Sequence, residues 1–480
     1  MSERILVAVA WPYANGSIHL GHLAGANLPA DIFAKYHRLK GNNVLMVSGS
    51  DQHGTPITLR AEQEGVKPKA IVDKYHQEFL DCWKGMGIDF DIFTSTSTNN
   101  HKTVVQDLFL KLYNKGYIYK AVMKSPYCHE CKRFLADRYV KGTCPHCGYD
   151  DARGDQCDKC GRTLDPKELI GLSCRISNTS PVILDTEHFF LKLSAFQDKL
   201  SKWVSQQKHW RPNVLNFTKS YLKLGLKDRA ITRDLEWGIS IPLDGYENKT
   251  IYVWFEAVIG YLSSTKEWAK DIGIEEGWED FWLNTCKTYY FMGKDNIPFH
   301  TIIWPAMLMG YGNLNLPYDV PANEFLNLQG SQLSTSRNWA VWVLDYLKRY
   351  DPDPLRYVLT ATMPERGDSD FSWDEYVRRN NDELLATFGN LVHRVLTLTY
   401  KHYDGKVPDV GKLEQDDQIL LDQAKQCLEE VAQNLENCNF KKGLSVAMTM
   451  AQMANRYLEV KSPWKTVKEN RIIAATTLWV

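Results

Sequence analysis

Two groups of residues could do chemistry by type and spacing. The first is His19-Leu20-Gly21-His22. Histidines three positions apart share one helical face. A helix N-terminus offers free N–H groups and the positive end of its dipole to a phosphate. Gly21 leaves room for a flat base or a ribose to approach. The histidines can then donate hydrogen bonds to phosphate oxygens as charge shifts during phosphoryl cleavage. The same residues would also serve as two ordinary histidines at a helix start. The second group is cysteine: seven of the 11 cysteines lie between Cys128 and Cys174. A C-x-x-C turn lets two thiolates bind one ion, and two such turns complete a tetrahedral zinc site. Cys144, Cys147, Cys157 and Cys160 form a complete ligand set, so zinc (Zn2+) is expected. Cys128, Cys131 and Cys174 form an incomplete one, with Ser177 in the fourth place. A second zinc there would need His129, water or another donor, and both one-zinc and two-zinc arrangements stay open.

These residues need elements to hold them. Ile5 to Ala10 is a short apolar run suited to a parallel strand buried on both faces. From Leu20 to Leu39 apolar residues recur at helical spacing, and Gly41 ends the pattern. Val44 to Val47 is the next strand, before the turn-like Ser48-Gly49-Ser50-Asp51. Strand–helix–strand implies a βαβ unit and a doubly wound, Rossmann-like α/β sheet. His19 to His22 then sits outside the carboxyl end of the first strand. From about Ala121 to about Asp185 periodicity disappears, and an inserted module held by metal is expected. Thr288 to Met292 reads as a strand and Ile297 to Met309 as a helix. After Asp370 the chain is helical throughout, which predicts a C-terminal bundle. Ile472 to Val480 reads as the start of a further helix, so a truncated C-terminus is expected. The expected divisions are 1–120 and 223–325 for the two halves of the α/β domain, 121–222 for the insert, 326–372 for a following region and 373–480 for the bundle.

Lysine plus arginine number 57 against 58 acidic residues, a formal net charge of -1. That argues against a chain that coats nucleic acid non-specifically, and leaves room for a local basic face. No apolar run approaches a membrane span, and Ile5 to Trp11 is too short for a signal-peptide core. A cytoplasmic protein with no membrane association is expected. In that compartment clustered cysteines mean metal rather than disulfides.

Pro12-Tyr13-Ala14-Asn15-Gly16-Ser17-Ile18-His19-Leu20-Gly21-His22 resembles the HIGH signature of class I aminoacyl-tRNA synthetases. Ser50-Asp51-Gln52-His53-Gly54-Thr55-Pro56 resembles the second-strand motif of the methionyl-tRNA synthetase family. Val253-Trp254-Phe255-Glu256-Ala257 and Gly293-Lys294-Asp295-Asn296, with His300 and Trp304, continue the likeness in order. The short, cysteine-rich insert also fits the methionyl branch rather than relatives with a large editing domain. The resemblance implies a methionine–tRNA ligase. It would use ATP and magnesium (Mg2+) to form methionyl-adenylate, then transfer methionine to tRNA(Met).

The resemblance also implies residue roles. Asp51 pairs with the α-ammonium of methionine, as a carboxylate should. Tyr13, Trp254, Ala257, Val258, Tyr261, Ile297, His300 and Trp304 line the side-chain pocket, where aromatics suit a polarizable thioether. The same aromatics would also serve as plain core. Trp11 stands where an aliphatic residue is common, and Val258 where proline is. His19, His22, Lys294, Arg233, Gln332 and Thr335 are the catalytic candidates; Tyr13, Asn15, Gly21, His22, Asp295, Ser334 and Thr335 contact ATP.

The mobile KMSKS loop of the family aligns with Gln332-Leu333-Ser334-Thr335-Ser336-Arg337. Gln332 and Thr335 stand where the family has lysines. Losing one preorganised donor costs about 3–4 kcal/mol in a transition state. Either Arg337 or Lys294 substitutes, or adenylate formation is slow. In the helical tail, Asn390, Arg394 and Trp464 match anticodon-reading positions, and single-stranded bases are read by stacking and edge hydrogen bonds. A monomer is expected. Two other readings are a synthetase-like protein that binds methionine or tRNA but catalyses poorly, and a class I synthetase for another small apolar amino acid.

Overall fold

The structure is a computed structural model and describes residues 2–154, 157, 159–160, 164–334 and 338–480, with only the backbone at Asp137. The chain divides into two units. One comprises Met1–Ser17, Gly41–Lys84 and Asp89–Ala322; the other Ile18–Lys40, Gly85–Ile88 and Asn323–Val480.

The first unit is built on a parallel sheet. Ile5, Leu6, Val7, Ala8 and Val9 are wholly buried, as a strand covered on both faces must be. This strand, Arg4–Val9, pairs in parallel with Asn43–Ser50 (Ile5 opposite Val44) and with Lys287–Gly293 (Ile5 opposite Lys287). Ile92–Ser95 lies beyond Asn43–Ser50, and Ala322–Asn323 beyond Lys287–Gly293. Strand order therefore reverses beside Arg4–Val9. In open α/β sheets, ligands bind outside the carboxyl ends of the strands at such a reversal. Helices Gln197–Gln206 and Pro212–Lys223 place Leu200, Val204, Val214 and Leu222 in the same apolar cluster as Leu6 and Ala8.

The stretch that shows no periodicity in the sequence contains two long strands. Ile118–Cys128 and Val182–Leu191 run antiparallel, from Ile118 opposite Leu191 to Tyr127 opposite Val182. The pattern is missing for a physical reason: along this ribbon polar Thr186 and His188 are buried while apolar Val122, Ile183 and Leu184 are exposed. Where burial does not follow polarity there is no apolar alternation to read. The cysteines follow, in a small cluster of their own with Leu135, Tyr139, Val140 and Ala152.

In the second unit the segment Leu20–His22 continues through a wide π-helical turn, Leu23–Asn27, into helix Leu28–Leu39. Its buried Asp31 pairs with Lys35 at 2.9 Å and with Arg356. A small sheet has Leu326–Leu328 between antiparallel Ser331–Gln332 and parallel Ser369–Phe371. Helices Asn390–Tyr403, Gln415–Glu436, Phe440–Lys461, Pro463–Glu469 and Arg471–Trp479 make up the tail. Asp417 is buried and accepts from the Tyr457 hydroxyl at 2.7 Å, while Lys461 pairs with it at 3.0 Å. No described helix is long and apolar enough to cross a membrane.

Candidate active site and metal centre

The parallel pairing of the first two strands continues past their ends. Ala14 N–H donates to the Asp51 carbonyl at 2.8 Å, and Asp51 N–H to the Pro12 carbonyl at 2.8 Å, so Tyr13 and Asp51 lie side by side. The Asp51 carboxylate is 4% exposed and accepts from the His53 backbone N–H at 3.3 Å. Among the described residues no lysine or arginine pairs with it. Burial, and then the nearby charge of Glu256, hold its pKa well above the usual carboxylate range. A buried acid without a cation is costly unless a ligand supplies one.

The aromatic residues of the same unit form a connected set. His300 Nδ1 lies 2.9 Å from the Asn296 carbonyl, which can only accept. The other nitrogen, Nε2, therefore accepts from the Tyr261 hydroxyl at 2.7 Å. Burial lowers the His300 pKa to about 4, so the ring is neutral. Trp304 donates to the Tyr290 hydroxyl at 3.1 Å, and Tyr261 meets Tyr290 edge to face. Val258, Tyr261, Ile297, His300 and Trp304 are buried; Trp254 is half-exposed, with its ring 4.1 Å from that of Phe299. Trp11 lies over Gly49 and Gly260, where a Cβ would come within 2.6 and 2.7 Å of the indole. Arg233 stacks on Tyr252 at 3.8 Å and donates to the Thr232 carbonyl at 2.9 Å. Lys294 and Asp295 occupy a single turn after strand Lys287–Gly293.

In the second unit His19 and His22 cap the helix reciprocally. Gly21 N–H donates to His19 Nδ1 at 3.1 Å, and His19 N–H to His22 Nδ1 at 3.2 Å. Burial depresses both pKa values, His19 further through its histidine neighbour, to about 2 and about 4. Both rings are thus neutral with Nδ1 accepting, so each carries its proton on Nε2. The capping and donor readings are compatible, because they use different nitrogens. Gly21 is packed closely: a Cβ there would come within 3.1 Å of Leu333. His19 and Leu20 pair with the stretch after the KMSKS-like loop, Leu20 N–H reaching the Val341 carbonyl at 3.2 Å. Gln332 is exposed, and Ser334 and Trp339 exchange backbone hydrogen bonds at 2.9 and 3.0 Å. Thr335, Ser336 and Arg337 lie outside the described residues.

Cys144, Cys147, Cys157 and Cys160 bring their sulfurs within 4.8 Å of one another, with pairs at 3.9 and 3.6 Å. A tetrahedron of thiolates about 2.3 Å from zinc has edges of about 3.8 Å, so the donor set fits that ion. Cys128, Cys131 and Cys174 form a second group, Cys131 and Cys174 being 3.8 Å apart. Its fourth side is Ser177, whose hydroxyl is 3.3 Å from the Cys128 sulfur. His129 is exposed and outside this group.

The chain's relatives decide its family. Residues 5–396 match the family described as tRNA synthetases class I (M), and residues 407–480 the anticodon binding domain of methionyl tRNA ligase. The methionine–tRNA ligase of Dehalococcoides mccartyi (strain CBDB1) is 58% identical over 480 residues, which is 100% of this chain and 87% of that protein. The chain belongs to the methionyl-tRNA synthetase family of class I. The enzyme of Thermomicrobium roseum is 56% identical, over 100% of this chain and 82% of its own length. Among solved structures, Mycobacterium tuberculosis methionyl-tRNA synthetase in complex with methionyl-adenylate has a TM-score of 0.82 and 26% identity. That match covers 100% of this chain and 88% of the other.

In the helical tail Asn390 is exposed and one turn from Arg394, whose guanidinium lies 4.8 Å from the Trp464 ring. Asn455 is beside them: it meets Arg394 at 3.5 Å and donates to the Thr387 carbonyl at 2.8 Å. Sequence reasoning missed one feature of the first unit. Glu256 is fully buried, with His53 Nδ1 at 2.8 Å from one oxygen and His101 Nε2 at 3.8 Å from the other. His53 and Glu256 both stand in the quoted motifs, but nothing in their local pattern signals a partner 203 positions away.

Proposed function

We propose that the chain activates methionine with ATP and transfers it to tRNA(Met), with the residues above in the following roles. The Asp51 carboxylate takes the α-ammonium. This reading is carried by a buried acid, lacking a cation among the described residues, in a chain of this family. Tyr13, Trp254, Ala257, Tyr261, Ile297, His300 and Trp304 hold the thioether side chain. His300 is neutral and already bonded on both nitrogens, so it presents a ring face to sulfur rather than a charge.

Methionine's carboxylate oxygen attacks the α-phosphorus of ATP, and pyrophosphate leaves with the bonding electrons. No protein nucleophile is needed, and catalysis is positioning plus electrostatics. His19 and His22 donate Nε2–H groups to phosphate oxygens. Asn15 and the Gly21 backbone contact the nucleotide, and Asp295 takes a ribose hydroxyl. Lys294 and Arg233 supply fixed positive charge, and Ser334 with Thr335 the loop contacts. Magnesium would accompany ATP and offset phosphate charge. A terminal ribose hydroxyl of the tRNA then attacks the adenylate carbonyl, releasing AMP. Asn390, Arg394 and Trp464 read anticodon bases. Zinc held by Cys144, Cys147, Cys157 and Cys160 would supply folding energy to the knuckle rather than chemistry. The setting is the cytosol, with the chain acting as a monomer.

Methionine-dependent ATP–pyrophosphate exchange tests this directly. Exchange should be measurable in the parent, without lysines at 332 and 335. No exchange in the parent, with recovery in Gln332→Lys/Thr335→Lys, would leave a binding protein rather than an enzyme.

A further inference from the structure

The Asp51–His53 loop is held from many sides. Gln52 N–H donates to Thr96 Oγ1 at 2.9 Å, the Gln52 side chain to Ser50 Oγ at 2.9 Å, and the Trp237 indole to the Gln52 carbonyl at 2.7 Å. His53 is the residue that links two buried acids. Its backbone N–H reaches Asp51, and its ring Nδ1 reaches Glu256. Glu256 ends helix Val253–Glu256, which also carries Trp254, and Ala257 follows it. The other oxygen of Glu256 faces His101 Nε2, and neither atom has a hydrogen-bond partner. His101 is in turn fixed by Ser263 at 2.7 Å, on the helix Gly260–Asp271 that carries Tyr261.

We infer that Glu256 is a positioning residue for the amino group of the amino-acid substrate, acting through His53 on the loop that presents Asp51. The inference rests on Asp51 being the ammonium site. A buried ion network stabilises little compared with packed apolar residues of the same volume. Its value here is geometric: one carboxylate fixes His53, and His53 fixes Asp51, while the same helix turn carries the side-chain pocket. Its charge also acts at range. Asp51 faces Glu256 from that helix, His53 from its own loop and Tyr13 from the neighbouring one, with the charges of Tyr252 and Arg138 felt at Tyr13. Glu256 itself faces His53 and His101. Glu256 therefore adds attraction for an incoming cation and raises the pH at which Asp51 ionises.

Glu256→Gln keeps the size and an acceptor for His53 but removes the charge. In ATP–pyrophosphate exchange the methionine KM should rise about 5- to 20-fold, with ATP KM and kcat changed less than about 2-fold. The acid limb of kcat/KM for methionine should move to lower pH, because Asp51 no longer feels the second acid. His53→Gln cuts the link from the other side. It should raise methionine KM likewise but leave the acid limb in place, since Glu256 keeps its charge. Asp51→Asn is the control. If it leaves methionine KM unchanged, the ammonium reading fails, and this inference with it. If it raises KM while Glu256→Gln moves neither KM nor the limb, this inference alone is overturned. Lowered stability and kcat with an unmoved limb in Glu256→Gln would also overturn it, as that is what a structural role gives. Should Glu256→Gln not fold, an unchanged methionine KM in His53→Gln overturns the inference.

Discussion

A neutral imidazole with one nitrogen occupied is a fixed hydrogen-bond donor, and His19 and His22 are each in that state. Their pKa values, about 2 and about 4, lie below 6.5, so the folded rings stay uncharged through the neutral range. Unfolded histidine binds its proton near 6.5. These two groups therefore contribute stability that is full above about pH 6.5 and lost as pH falls toward the folded values. They predict no histidine-type limb between pH 6 and 7 in the exchange rate. His22→Ala should lower kcat about 100-fold, the scale of one preorganised donor. A kcat within a few-fold of the parent, in exchange assays at saturating substrates, would leave His22 with only a capping role. The sign for Asp51 is opposite. Burial and Glu256 raise its pKa, so methionine binding should weaken as pH falls through a value above the ordinary carboxylate range. As candidate donors both histidines were legible in sequence. Which nitrogen carries the proton was not, because it depends on two backbone N–H groups met only in the folded turn.

At the scale of elements, the close approach of Trp11 to strand Asn43–Ser50 and helix Gly260–Asp271 depends on glycine at both contacts. Gly260→Ala would set a methyl 2.7 Å from the indole. Overpacking of this kind costs about 1–3 kcal/mol. Chemical denaturation should show that loss, and Trp11→Leu in the same chain should recover part of it. Equal stability in Gly260→Ala would mean that the indole shifts freely. The sequence identified Trp11 as unusual, but not what it presses on, since its two glycines are 38 and 249 positions away. The ribbon Ile118–Cys128 with Val182–Leu191 escaped the sequence reading altogether. Strands that bury Thr186 and His188 and expose Val122, Ile183 and Leu184 lack the apolar alternation by which strands are recognised.

Across the whole molecule the chemistry is separable. Exchange needs methionine and ATP but no tRNA, so Trp464→Ala should leave it intact. Aminoacylation by the same variant should show a tRNA KM raised about 10- to 100-fold, as expected for a stacked base worth about 1–3 kcal/mol. Equal tRNA KM in variant and parent would put Trp464 in the bundle core instead. The cysteine module has a small apolar cluster of its own, with Leu59 and Leu235 packed against it. Cys157→Ala should lower the zinc found by metal analysis and expose the 140–175 region to protease. The main sheet should still unfold cooperatively. Unchanged zinc content would rule out the four-cysteine set as ligands.

The sequence by itself determined the family, the α/β sheet and the helical tail. It also supplied the ligand types of the knuckle and the order of motifs along the chain. These are properties of local pattern: apolar runs, helical spacing, C-x-x-C turns and contiguous signatures. Tertiary structure decided what local pattern cannot hold. It placed the Asp51 carboxylate beside Tyr13 with no cation against it among the described residues. It gave His53 to Glu256 and put the proton of His19 and His22 on Nε2. It also set Ser177, rather than His129, against the incomplete cysteine group. Each depends on distance and burial between residues far apart in the chain, and burial is what turns an ordinary acid or imidazole into one with a fixed charge state.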